Sequence, residues 1–128
     1  MNTDAGPEAG PAELAERAAE TVRALIYSTG AGGQQLRWPS DVYDVLGALR
    51  ELADRIPQAC DQLARFLTNE LEAGRVSATD GVLSGDAPAA TASAEEWLAQ
   101  AAAAARRLAE CWGNAHTCVA GLSGTAGD

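Results

Sequence analysis

Between residues 40 and 73 the apolar positions fall alternately three and four apart, at Val42, Val45, Leu49, Leu52, Ile56, Ala59, Leu63 and Phe66. A turn of 3.6 residues places all eight on one stripe, so the spacing predicts a long amphipathic helix over 40–73. Glu51 with Arg55 and Asp61 with Arg65 sit on its outer face, each acid four residues before its arginine, the favoured order for an ion pair. Pro39 in the first turn or Ser40 as a cap starts the helix, and Gly74 stops it. Pro57 has no N–H to donate to the Ala53 carbonyl and should bend the helix. The alternation runs through it without a change of phase, from Leu52 and Ile56 to Ala59 and Leu63. One kinked helix of roughly 50 Å is therefore expected rather than two short ones.

Two further helices follow from the same reasoning. Over 11–29, Leu14, Ala18, Val22 and Leu25 form a buried stripe, Pro11 suits the first helical position, and Glu13 pairs with Arg17. Gly30 ends that helix, and a glycine-rich linker reaches Trp38, with Leu36 and Trp38 placed to tuck onto the bundle end. Ser93 and Glu96 read as a capping box that opens a last helix over 93–121. Its seam is read as Trp97, Ala101, Ala104, Leu108, Cys111, Ala115, Cys118 and Leu122. The intervening stretch 75–92 has turn chemistry at Asp80-Gly81, Gly85-Asp86 and Pro88 but no helical period, so it reads as a long loop anchored by Val82 and Leu83. Residues 1–10 and 123–128 read as disordered tails, which leaves 11–122 as a single domain.

These elements predict an all-α fold: an antiparallel hairpin of two long helices plus a shorter N-terminal helix, a three-helix bundle able to dimerise into a larger one. The first helix, about 28 Å long, can roof only part of that hairpin. It should pack on the N-terminal half of the second helix and meet the third in a layer near Val22, Gly47 and Cys118. At the other end, Leu63, Phe66, Leu67 and Leu71 would face Trp97 and Leu98 with no helix of the chain to cover them. Either the loop 75–92 folds back there or a second molecule does, so these six residues form the candidate partner or dimer surface.

Composition narrows the functional classes. Every basic residue is arginine, and the net charge is -9. With no basic patch along the chain, direct binding to nucleic acid or to an anionic membrane is not expected. No apolar run approaches the ~20 residues of a membrane span, and the N-terminus lacks the pattern of a secretory signal. Three cysteines without framework spacing fit reduced thiols and a cytoplasmic protein. The abundance of Ala, Gly and Arg points to a GC-rich genome.

No catalytic signature emerges, so the chain is read as a non-enzyme without cofactor or metal. GAGGQQLRW lacks the Gly-Lys-Ser/Thr ending of a phosphate loop. Cys111 and Cys118 stand ~10.5 Å apart along one helix, and His116 points about 140° away from Cys111, a spread that cannot converge on zinc. Buried cysteines in the core and a solvated or helix-end His116 are the expected roles. Glu95 and Glu96 diverge by ~100°, one of them serving the cap, and make no acid/base pair. Trp97 and Trp112 read as core residues, with a partner contact the second role for Trp97.

The run WPSDVYDVLGALRELADRIPQACDQLARFL, followed by a Gly/Asp-rich loop and an Ala-rich last helix, resembles small all-helical proteins of actinobacterial chromosomes and mobile elements, over residues 37–122. The resemblance implies a lineage and a helical fold, and it transfers no functional residue. In size and shape the chain is also similar to the helical hairpins exported by type VII secretion, whose turn carries Trp-x-Gly. Here the comparable residues, Trp112, Gly113 and Asn114, lie inside the last helix, so the match departs in both position and sequence. Two functions compete. One is a protein–protein interaction module that self-associates as a homodimer or docks a protein partner. The other is a small acidic regulator, of antitoxin or nucleic-acid-mimic type, that covers a basic surface with Asp54, Asp61 and Glu72.

Overall fold

The computed structural model describes residues 8–81 and 83–124. Three helices account for most of them: α1 (Pro11–Thr29), α2 (Pro39–Glu72) and α3 (Ala87–Val119), with no strand among the described residues. The all-α, three-helix bundle and its unequal rods are as the periodicity implies. α1 has 19 residues against 34 and 33 for the other two. α2 runs unbroken through Pro57. Of the expected tails, residues 1–7 and 125–128 lie outside the described residues, as does Val82.

α3 begins six residues earlier than the Ser93 box implies. The Asp86 carboxylate accepts a hydrogen bond from the Ala89 N–H at 3.0 Å, and Pro88 occupies the first turn, where its missing N–H costs nothing. The loop shortens accordingly to 73–86. At its start Gly74, at φ 75°, lets the Arg75 N–H reach the Glu70 carbonyl at 2.9 Å, while its own N–H meets Leu71. This is the double bond pattern of a left-handed helix stop. Arg75 then grips Glu70 through two side-chain hydrogen bonds of 2.8 and 2.9 Å.

Cross-helix contacts fix the register of the hairpin. Thr68 meets Glu95, Arg50 lies over Gly113, and Tyr43 and Gly47 both meet His116. Residue numbers rise on one helix as they fall on the other, so α2 and α3 are antiparallel. Their contact line is made of small residues: Ala53, Pro57 and Cys60 on α2 against Thr91, Ala102, Ala105, Ala109 and Gly113 on α3. No large side chain in the described residues is fully buried.

This corrects both expected seams. Leu52, Ile56 and Leu63 flank the α2 contact line instead of forming it, with Phe66 farther round, and Trp97, Ala101 and Leu108 flank that of α3, with Ala104, Cys111 and Cys118 farther round. The reason is steric. Two rods of this length gain most contact by approaching closely, and only Ala, Gly and their like permit a short interaxial distance. Residues 101–105 are all alanine, so the sequence of α3 does not itself say which alanine faces inward.

α1 leans on α2 without close backbone contact, and none of its residues is buried. Ala18, Thr21, Val22 and Leu25 look across an apolar cleft of about 400 Å³ at Val45, Ala48, Leu49 and Leu52. The expected three-helix layer near Val22, Gly47 and Cys118 is therefore not formed: Gly47 meets His116 of α3, and Cys118 is exposed. The linker between α1 and α2 is held against the end of α1 by hydrogen bonds from Gln34 N–H to Gly30 and from Gln35 N–H to Ser28. Gly33 allows this fold-back, because a Cβ there would stand 2.7 Å from the Tyr27 carbonyl oxygen.

Candidate functional site

At 100° per residue, Leu52, Ile56 and Leu63 lie roughly 70–110° round α2 from its contact line, and Phe66 about 150°. Trp97, Ala101 and Leu108 lie about 80–120° round α3 from its own line in the same rotational sense. Because the helices are antiparallel, equal rotations bring both stripes to one side of the hairpin. The result is a broad apolar face. α1 lies over its upper part, at Val45–Leu52, through the cleft described above.

Below that level the face is open. Leu63 is 56% exposed, Phe66 61% and Trp97 71%, with Ile56 and Leu108 at about two-fifths. The 73–86 loop leaves all of them uncovered. Among the six residues expected at this end, Leu63, Phe66 and Trp97 are the exposed ones. Leu67, Leu71 and Leu98 are half-buried, turned toward the contact line between the helices. From Val42 to Phe66 on α2 and from Ala90 to Cys118 on α3, the stripes contain no charged residue. Asp41 and Glu70 bound the α2 stripe at its two ends, and Asp54, Asp61 and Glu110 stand on the opposite side.

Those charges pair along their own helices. Arg55 and Glu51 approach to 3.8 Å, Arg50 and Asp54 to 3.9 Å, and Arg107 and Glu110 to 2.9 Å. Such exposed pairs contribute little to stability. Two carboxylates are held more firmly. Asp41 accepts the backbone N–H groups of Trp38 and Arg37 at 2.9 and 2.8 Å, and these bonds hold its carboxyl below the usual carboxylate range. Glu70 is lowered by the Arg75 guanidinium, which is raised in turn. One caps α2 at its N-terminus and the other fastens its C-terminus, so both are structural.

The remaining chemistry-bearing residues do not converge. Cys60 is buried in the contact line, whereas Cys111 and Cys118 are exposed, which corrects the expectation that all three occupy the core. His116 lies in the last turn of α3, half-buried rather than solvated. Its ring stacks on Tyr43 with centroids 3.8 Å apart, and a Cβ on Gly47 would stand 3.2 Å from its Nε2. Glu95 takes the Thr68 hydroxyl across the helices, and Glu96 takes Gln100 on its own helix at 3.2 Å. Neither serves the cap. No three His, Cys, Asp or Glu side chains among the described residues are grouped to hold a metal ion. At the linker end, Leu36, Trp38, Pro39 and Val42 line an apolar cleft with Val119 and Leu122, so Leu36 and Trp38 do sit on the bundle end.

Sequence reasoning missed two contacts, Tyr43 on His116 and Arg50 over Gly113. The signal was present in Gly47 and Gly113, glycines inside helices that favour alanine, each marking a place where a partner side chain comes close.

Fold and surface together define an all-α three-helix protein, amphipathic as a whole, with one neutral apolar face and one charged face. Its sequence matches no protein-family model, and no curated protein or solved structure is significantly similar to it. No helix among the described residues is long and apolar enough to cross a membrane.

Proposed function

We propose that this protein is a non-enzymatic interaction module that works by docking a protein surface onto the apolar face around Leu63, Phe66 and Trp97. The observation that carries the reading is the exposure of these three large side chains at one level of the hairpin, on a face where the neighbouring acid, Glu70, is already paired with Arg75. Contiguous apolar surface of this kind is a protein-contact feature, and aromatic residues supply much of the binding energy in such contacts. The bland role for Trp97, core packing, does not fit a side chain that is 71% exposed. Apolar clefts occur elsewhere on the molecule, but they lack the converging polar groups of a substrate site.

The test is cross-linking of the native protein in its own cell, followed by mass spectrometry, beside the variants Leu63→Asp and Trp97→Asp. Cross-links that map to residues 56–71 and 97–108 in the wild type, and vanish in both variants while helical circular dichroism is kept, are the expected result. Cross-links confined to the charged side and lost on neutralising Asp54, Asp61 and Glu72 would favour the acidic-regulator reading instead.

A further inference from the structure

Resting on that reading, we infer that the occupant of the apolar face is a second copy of this chain, laid on the first about a two-fold axis to give a four-helix core of two α2–α3 hairpins. Area is the first ground. A compact monomer of 13.1 kDa exposes about 6,400 Å². This chain exposes 9206 Å². Twelve residues outside the described set can supply at most about 1,800 Å² of that excess. At least about 1,000 Å² is left; the long hairpin and the unburied α1 account for part of it, and the total is on the scale of the ~800 Å² that each partner buries in a standard stable interface.

The location agrees with the amount. Ile56, Leu63, Phe66, Trp97 and Leu108 together expose roughly 550 Å² of mostly apolar surface, and the alanines between them add to it. Charge is the second ground. Two chains of net charge -9 repel one another through any face that carries their acids. On the apolar face the acid nearest the Leu63–Trp97 end is Glu70, one turn past Phe66, and Arg75 neutralises it at 2.8 Å, so here identical chains can meet with little like charge opposed. A basic partner would gain nothing from a neutral surface. Geometry is the third. α1 lies over only the Val45–Leu52 level, so two copies that overlap at the Leu63–Trp97 end keep their α1 helices apart. An isologous contact closes on itself and stops at two chains.

The experiment is light scattering coupled to size exclusion on the full chain over a hundredfold range of concentration. A parallel series uses Trp38→Phe/Trp112→Phe protein, in which Trp97 is the sole tryptophan. The expected result is a mass of twice 13.1 kDa at the upper concentrations, with Trp97 emission shifted to the blue and reverting on dilution. Leu63→Asp and Trp97→Asp should each give a monomer with unchanged helical circular dichroism. A monomer throughout, with Trp97 emission like that of free indole in water, overturns the self-pairing. In that case the docking reading still stands or falls on the cross-linking above. A dimer that survives both substitutions overturns the assignment to this face.

Discussion

Two glycines in tight surroundings make opposite predictions. At Gly33 the obstruction to a side chain is backbone: the Tyr27 carbonyl oxygen at 2.7 Å and the Ser28 Cα at 2.8 Å. Backbone cannot swing away, so Gly33→Ala should cost about 1–3 kcal/mol in urea unfolding. At Gly113 the obstruction is the end of the Arg50 side chain, whose Nη1 would stand 2.7 Å from a new Cβ. That guanidinium is half exposed and can turn out to solvent beside Asp54. Gly113→Ala then gains the helix preference of alanine, worth up to about 1 kcal/mol, and should be neutral to stabilising in the same measurement.

The ends of α2 depend on two carboxylates, and their dependence on pH has a definite sign. Asp41 and Glu70 both have folded pKa values below their ordinary values of 3.8 and 4.5. On acidification the unfolded chain therefore takes up these protons first. The stabilisation is complete above the ordinary values and is lost as the pH falls through the lower folded ones. Amide exchange at both ends of α2 should accelerate in that acidic window while Ala53–Cys60 stay protected. Asp41→Asn should flatten the pH response at the N-terminal end alone.

The helices themselves were legible in the sequence because each carries a period and its own stop signals. Pro11 and Gly30 bound α1 at the residues read from the sequence, and the phase kept across Pro57 gave α2 as one rod. The start of α3 was obscured because Ser93-Ala-Glu-Glu is a sound cap in isolation, and Asp86 with Pro88 formed an equally sound one upstream. Which stripes face each other was not legible. Periodicity finds an apolar stripe, but whether leucines or alanines form the contact is decided by how closely two whole helices can approach. For the candidate site, the end of the hairpin that lacks a roof followed from helix lengths alone. The division of its six residues into three exposed and three half-buried required the true contact line.

At the scale of the whole molecule, the hairpin places bulk outside and small residues inside. Its stability rests on closeness of approach, so enlarging the seam should harm it more than trimming the open face. Ala105→Leu would push α2 and α3 apart and should cost about 1–3 kcal/mol, whereas Leu63→Asp should leave the monomer's fold intact. Thermal melts of the two variants at low protein concentration make the comparison.

Cys60 lies in that seam and is 7% exposed, while its two fellow thiols face water. Under an alkylating reagent, Cys111 and Cys118 should react at the speed of a free thiol, and Cys60 only when the two long rods part. The native chain thus carries a stopwatch for its own opening. The interval between the second and third adduct in a mass spectrum would time that separation without any added label.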